Sequence, residues 1–265
     1  MEETTIQEIR DIQLNILNDV HTFCQANNIR YFLAWGTLLG AIRHDGYIPW
    51  DDDIDISMPR PDYDRFIRLY KSDRYVLDSI LKDSSYPYVF AKVSDKHTIL
   101  VEETRYPYNL GINIDVFPID GLSNDRSIAI RHNNKITFYN KILTFKRVRM
   151  ALRRGVFKNL LLFIGQLILC LIPYKWLLRI LDKNMRKYDF EQSKYAADLC
   201  FAEYGKISER KLYEKYNLHV FENNMYVIPD EYHSILTHIY GDYMTLPPAE
   251  KRISHHIFKA YKCKK

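Results

Sequence analysis

The stretch Pro49-Trp50-Asp51-Asp52-Asp53-Ile54-Asp55-Ile56 places four carboxylates within five positions of a predicted strand. Like charges this close call for a cation. In a regular strand, alternation puts Asp51, Asp53 and Asp55 on one face, turns Asp52 the other way, and points Ile54 and Ile56 into the core. Two carboxylates at i and i+2 then converge and can share hard, oxygen-liking ions such as Mg²⁺, which keep positions open for water and substrate phosphates. Taken alone, the same residues also read as an acidic turn or a calcium loop.

Two neighbours sharpen the reading. Upstream, Gly36-Thr37 lies between a short apolar strand (Tyr31 to Ala34) and a short helix (Thr37 to Ile42), where backbone N–H groups at a helix start can receive a phosphate. Downstream, Asn113-Ile114-Asp115-Val116-Phe117 sets one more carboxylate in an apolar strand, where an unpaired charge is costly. A phosphate cradle, a pair of metal-binding carboxylates and a third on a neighbouring strand form the constellation of two-metal phosphoryl transfer.

Around this centre the pattern is that of a mixed α/β (α+β) sheet. Thr5 and Glu8 have capping-box spacing, and Ile6, Ile9, Ile16, Leu17, Val20, Phe23 and Cys24 recur at helical intervals. Strands are expected at 53–58, 86–93, 98–103 and 112–119, with a helix over 62–70. From Asn124 the signal turns helical: a basic run to about Arg154, an apolar run from Leu160 to Ile172, and a helix after Pro173. These changes divide the chain into a catalytic core (1–123), a helical, membrane-associated insert (124–200) and a C-terminal segment that completes the active site (201–265). That last segment carries a strand near Tyr226 to Ile228, a helix from Pro229-Asp230 and the turn Tyr240-Gly241-Asp242-Tyr243.

Charge follows the same division. Arg126 to Leu181 holds twelve of the 38 Lys and Arg and no Asp or Glu, leaving 26 basic residues against 33 acidic ones elsewhere. An acidic core with a basic insert is a poor nucleic-acid binder, whereas the insert suits an anionic membrane. Cys24, Cys170, Cys200 and Cys263 have neither zinc nor disulfide spacing, and the acidic N-terminus lacks the form of a secretory signal, so a cytoplasmic enzyme is expected. The 21 Tyr, 13 Phe and three Trp are rings suited to membrane boundaries, sugar faces or cationic ligands.

The run from Tyr31 through Trp35-Gly36-Thr37-Leu38-Leu39-Gly40-Ala41-Ile42-Arg43-His44 to Pro49-Trp50-Asp51-Asp52-Asp53-Ile54-Asp55 resembles the LicD family of phosphocholine transferases, related to fukutin-type polyol-phosphate transferases. Further matching segments are Lys92-Val93-Ser94-Asp95 with Thr98, Ile114 to Gly121, Pro229, Tyr240 to Met244, Pro247-Pro248 and His255. The resemblance implies a nucleotidyltransferase-like fold, a CDP-choline donor and two Mg²⁺ ions, with Mn²⁺ as a substitute. It implies that Asp53 and Asp55 bind the metals and that Asp115 completes one site beside the acceptor hydroxyl. Asp51 is a further ligand or an outer partner. Arg43 and Lys92 are candidates for diphosphate contacts, His44 and His255 for phosphate or acceptor, and Trp35, Tyr47 and Trp50 for a cation–π cage around choline.

The implied reaction is transfer of phosphocholine to a hydroxyl of a lipid-linked glycan precursor, such as a teichoic acid or capsular unit, at the inner face of the cell membrane. Two other readings remain at this point: transfer of ribitol or glycerol phosphate from its CDP form, and a catalytically silent nucleotide-binding scaffold. Within about 141–180, the thirteen residues Leu160 to Ile172, flanked by basic side chains, are too short to span a bilayer and suit a seat at its interface, the alternative being a helical hairpin packed wholly on the catalytic core.

Overall fold

In the computed structural model, which describes residues 2–151, 155–201, 207–253 and 258–263, helix α1 (Ile6–Ala26) begins as its sequence demands. The Thr5 hydroxyl accepts the Glu8 N–H while the Glu8 carboxylate accepts the Thr5 N–H, and the stripe Ile9, Ile12, Ile16, Leu17, Val20 and Cys24 is buried.

The main sheet runs in the order β2 (Phe32–Leu33), β3 (Asp55–Pro59), β7 (Asn113–Leu122), β5 (Ala91–Asp95) and β4 (Tyr75–Asp78). Strand β3 is parallel to β7, and the other pairings along this path are antiparallel. Ten residues long, β7 pairs with β5 through its first half and with β8 (Tyr195–Asp198) through its second. Strand β8 in turn pairs with β9 (Ser208–Glu209). Helix α1 packs against β7 and β5, and α3 (Arg60–Leu69) against β7 and β3. A buried bidentate pair fixes α3: Arg60 Nε and Nη2 donate to Asp120 at 2.6 and 2.8 Å.

Strand β6 (Thr98–Glu102) does not join its neighbour β5 in the main sheet. It pairs with the C-terminal strand β12 (Phe258–Lys262), which also holds β1 (Glu2–Glu3). Residues 86–90, expected in a strand, form an irregular segment whose Tyr86, Tyr88 and Phe90 enter a second core under the helices. That core lies beneath α4 (Arg126–Arg147) and α6 (Tyr174–Met185), with α5 (Val156–Ile168) outside them. Asp125 caps α4 by accepting the Ser127 and Ile128 N–H groups. The expected change to helices near residue 124 is present, but the 124–200 stretch also contains β8, which belongs to the main sheet. Within 201–265, the hairpin β10 (Tyr216–Phe221) and β11 (Asn224–Pro229) lies beside β2 and leads into α7 (Tyr232–Tyr240).

Candidate active site

Register brings the acidic residues together. Asp55 opens β3 directly opposite Asp115 on β7, and Asp115 faces Lys92 on β5. Facing residues on neighbouring strands share one side of a sheet, so the three side chains form a row across three strands. Lys92 Nζ donates to Asp115 Oδ1 at 2.5 Å and to Asn113 Oδ1 at 3.0 Å. Burial works against this ammonium, but Asp115, Tyr88 and Glu102 outweigh it and hold its pKa above the ordinary lysine value.

The segment before β3 is not strand, so alternation does not apply to it. Asp51, Asp52 and Asp53 instead lie in a coil that gathers one carboxylate oxygen of each within 4.8 Å of the others. Asp52, expected to face away, is part of this cluster. The coil is held by α1, from which Arg10 Nη2 donates to the carbonyls of Ile48 (3.3 Å), Pro49 (3.1 Å) and Asp51. Gln13 Nε2 donates to the carbonyls of Asp52 (3.0 Å) and Asn113 (3.2 Å), tying the acidic coil to β7. Neither residue was legible as part of the site: both lie some forty positions upstream, in a stretch that reads only as an amphipathic helix.

The start of α2 (Trp35–His44) carries a further tie. The Thr37 hydroxyl accepts the Asp55 N–H at 2.8 Å, and the Ala34 N–H donates to the Asp55 carbonyl at 3.0 Å. A Cβ added at Gly36 would lie 2.5 Å from Asp51 Oδ2, so only glycine leaves room for that carboxylate at the helix start. The positive end of α2, expected to cradle a phosphate, is faced by the protein's own Asp51. Trp35, the residue before, holds a left-handed backbone (φ 47°), and its indole N–H donates to Asp198 at 3.0 Å.

Burial and the charges of Asp53, Asp115 and Asp51 push the Asp55 carboxyl well above the ordinary carboxylate range, with Lys92 pulling the other way. Crowding of this kind is relieved by a multivalent cation, and an all-oxygen ligand set matches Mg²⁺ or Mn²⁺.

The remaining candidates lie to one side. Arg43 Nη1 donates to the Tyr243 carbonyl (2.7 Å) and its Nε to His44 Nε2 (3.0 Å), which ties α2 to the turn after α7. Trp50 is half-buried, with the His44 ring edge-on at 6.3 Å and the Arg252 guanidinium 5.7 Å from its own ring. Arg252 also lies close enough to Arg43 to depress its pKa, after burial, which gathers two guanidiniums near Trp50. Tyr47 is buried: its hydroxyl donates to Gln13 Oε1 (3.0 Å) and the Arg10 guanidinium lies 4.8 Å from its ring. Its ring packs inside the fold, not on the rim of the site. His255 lies outside the described residues.

Residues 28–152 match the LicD/FKTN/FKRP nucleotidyltransferase domain. The lipopolysaccharide cholinephosphotransferase LicD of Haemophilus influenzae is 32% identical over 98% of this chain and 99% of its own length. The chain belongs to the LicD family. Shorter similarity extends to two uncharacterised Rickettsia proteins. That of Rickettsia typhi is 29% identical over 39% of the chain and 36% of its own length. That of Rickettsia prowazekii is 49% identical over 18% of each. The LicD domain match spans α2, the coil that carries Asp51 and Asp53, and the strands β3, β5 and β7 that carry Asp55, Lys92 and Asp115.

Proposed function

We propose that the chain transfers phosphocholine from CDP-choline to a hydroxyl of a cell-surface glycan precursor, releasing CMP. The observation that carries the reading is the row Asp55–Asp115–Lys92 beside the Asp51–Asp53 cluster, in a chain matched end to end by a protein named as a cholinephosphotransferase.

Asp53, Asp55 and Asp115, with Asp51 as a further partner, would hold divalent ions, Mg²⁺ first. Bound there, the ions would lower the pKa of an attacking hydroxyl and neutralise charge on the departing phosphate. The chain's own groups supply the rest. Lys92 holds the Asp115 carboxylate at a single orientation through a contact of 2.5 Å. Thr37 fixes the backbone of Asp55, and Arg10 with Gln13 fixes the coil of Asp51 to Asp53, so the carboxylates meet the donor without rearrangement. Arg43 and Arg252, close together and near Trp50, suit the donor's diphosphate, since a guanidinium fork matches phosphate oxygens. Trp50 already receives a cation over its ring, the property a quaternary ammonium needs.

The test is incubation with Mg²⁺, an acceptor glycan and each of CDP-choline, CDP-ribitol and CDP-glycerol, following CMP release. The expected result is acceptor-dependent release from CDP-choline above the other two. Preference for CDP-ribitol or CDP-glycerol would keep the reaction class and replace the donor. No release from any of them would overturn the reading.

A further inference from the structure

Helix α5 is oriented opposite to a helix of a soluble surface. Its uncharged polar side chains face the protein, while Lys158 stays outside: Gln166 Nε2 donates to the carbonyls of Phe145 (3.1 Å) and Val148 (2.8 Å), and its Oε1 accepts Arg105 Nη1 (2.5 Å). Asn159 Nδ2 donates to the Ala151 carbonyl at 2.9 Å. Gly165 lets the helix sit close on α4, because a Cβ there would lie 2.6 Å from the Phe145 ring. Leu162 is buried beside them, but most of the apolar side chains point outward instead. Val156 is 87% exposed, Phe157 71% and Ile168 71%, and Leu171 just beyond the helix is 88% exposed. Leu160, Leu161, Phe163 and Leu167 are at least half exposed. A contiguous apolar face of this kind marks an interaction site.

Basic residues surround it. Lys141, Arg149, Lys158, Lys175 and Arg179 are all exposed, and no acidic residue occurs between 126 and 181. Lys146 and Arg147 are used internally: Lys146 Nζ donates to the Leu169 carbonyl at 2.7 Å, and Arg147 lies 4.2 Å from the centre of the Tyr88 ring. Between α4 and α5, Arg105 and Arg149 line a groove of about 330 Å³ together with Phe163, Leu167 and Cys170. Guanidiniums beside an apolar floor suit a phosphate headgroup with its acyl chain.

We propose that this face docks the protein on a bilayer containing anionic phospholipid, with α5 lying in the interface. By itself α5 is too short to span: its thirteen residues make about 20 Å of helix against ~30 Å of hydrocarbon. Among the described residues no single helix is long and apolar enough to cross, and Val156–Leu171 and Tyr174–Met185 reach that length and composition only as a pair bent by 76°. A second copy of the chain is the wrong partner. A two-fold contact would set one basic rim against another.

Flotation of the full chain with phosphatidylcholine vesicles, with and without phosphatidylglycerol, tests the docking with no donor present, so its outcome is separate from that of the transfer assay. The protein should float with phosphatidylglycerol at low salt, and less so as salt rises. The double variant Arg149→Glu/Lys158→Glu should lower partitioning at least tenfold, at roughly fivefold per basic residue. Phe157→Ser/Leu161→Ser should lower it at every salt concentration, with an unchanged melting temperature because both side chains face outward. Failure of the wild type to float with phosphatidylglycerol at low salt overturns the proposal. So does a dimer in sedimentation that Phe157→Ser/Leu161→Ser dissociates, since the face would then be a self-association surface. Arg153 and Arg154, also in the basic run, lie outside the described residues.

Discussion

Replacing Asp55 by Asn should stabilise the metal-free protein while abolishing turnover. Asp55 and Asp115 face each other across parallel strands spaced about 5 Å apart. Two ionised carboxylates at that distance repel by roughly 3 kcal/mol at an effective dielectric of about 20. Asn keeps the shape and removes this repulsion together with that from Asp53 and Asp51, losing only the weaker attraction to Lys92. A net gain of about 1–2 kcal/mol raises the melting temperature by roughly 2–8 °C for a chain of this size. The sign with pH follows from the raised Asp55 pKa. A carboxyl that holds its proton more tightly when folded adds stability below its unfolded pKa, near 3.8, and loses it as pH rises through the folded value. The gap between variant and wild type should therefore be widest at pH 8 and close as the solution is made acidic. The assay is calorimetry in EDTA across that range, repeated with Mg²⁺. With Mg²⁺ at a hundred times its Kd the wild type gains about 2.7 kcal/mol and the variant less, so the order narrows or inverts. A variant less stable than wild type in EDTA at pH 8 would refute the claim that carboxylate crowding strains the unliganded site.

Asp53→Asn and Asp115→Asn should each cut turnover by orders of magnitude with the fold intact, measured as CMP release at saturating Mg²⁺; near wild-type turnover in either would remove that residue from the site. Asp198, whose carboxyl burial pushes up to about 7 against the donors Cys200 N–H and Trp35 Nε1–H, should lose its contribution to stability as pH rises through 7. Urea titrations should show Asp198→Asn falling less steeply than wild type between pH 6 and 8, and parallel curves would contradict this. Trp50→Leu should weaken CDP-choline binding more than CMP binding in calorimetry, by about 0.5–2 kcal/mol. Equal losses would make Trp50 a support for the fold or the nucleotide.

Part of this protein is legible in the linear chain because its causes are local. The capping box opens α1, the change at Asn124 opens the helices, and the acidic run 51–55 with Asp115 draws attention to the site before any fold is known. The opposition of a basic, apolar stretch to an acidic core is likewise a property of composition. Contacts between distant segments decided the rest. Strand register set Lys92 against Asp115, which spacing alone could not foresee, since a slip of one residue would turn both away. Pairing with the C-terminus took β6 out of the main sheet, although its alternating pattern fits either place. Coil geometry drew Asp52 into the cluster that strand alternation would exclude, and set Asp51 against Gly36 where a phosphate was expected. Packing took Tyr47 inside under Arg10 and left Trp50 half-buried, though both are aromatics beside the same turn. On α5 it was likewise tertiary contact, through Gln166 and Gly165, that chose the helix face turned to the protein and left Leu160, Leu161 and Leu167 outside. Side-chain chemistry is written residue by residue, whereas register and facing depend on elements a hundred positions apart, and those only the folded chain brings together.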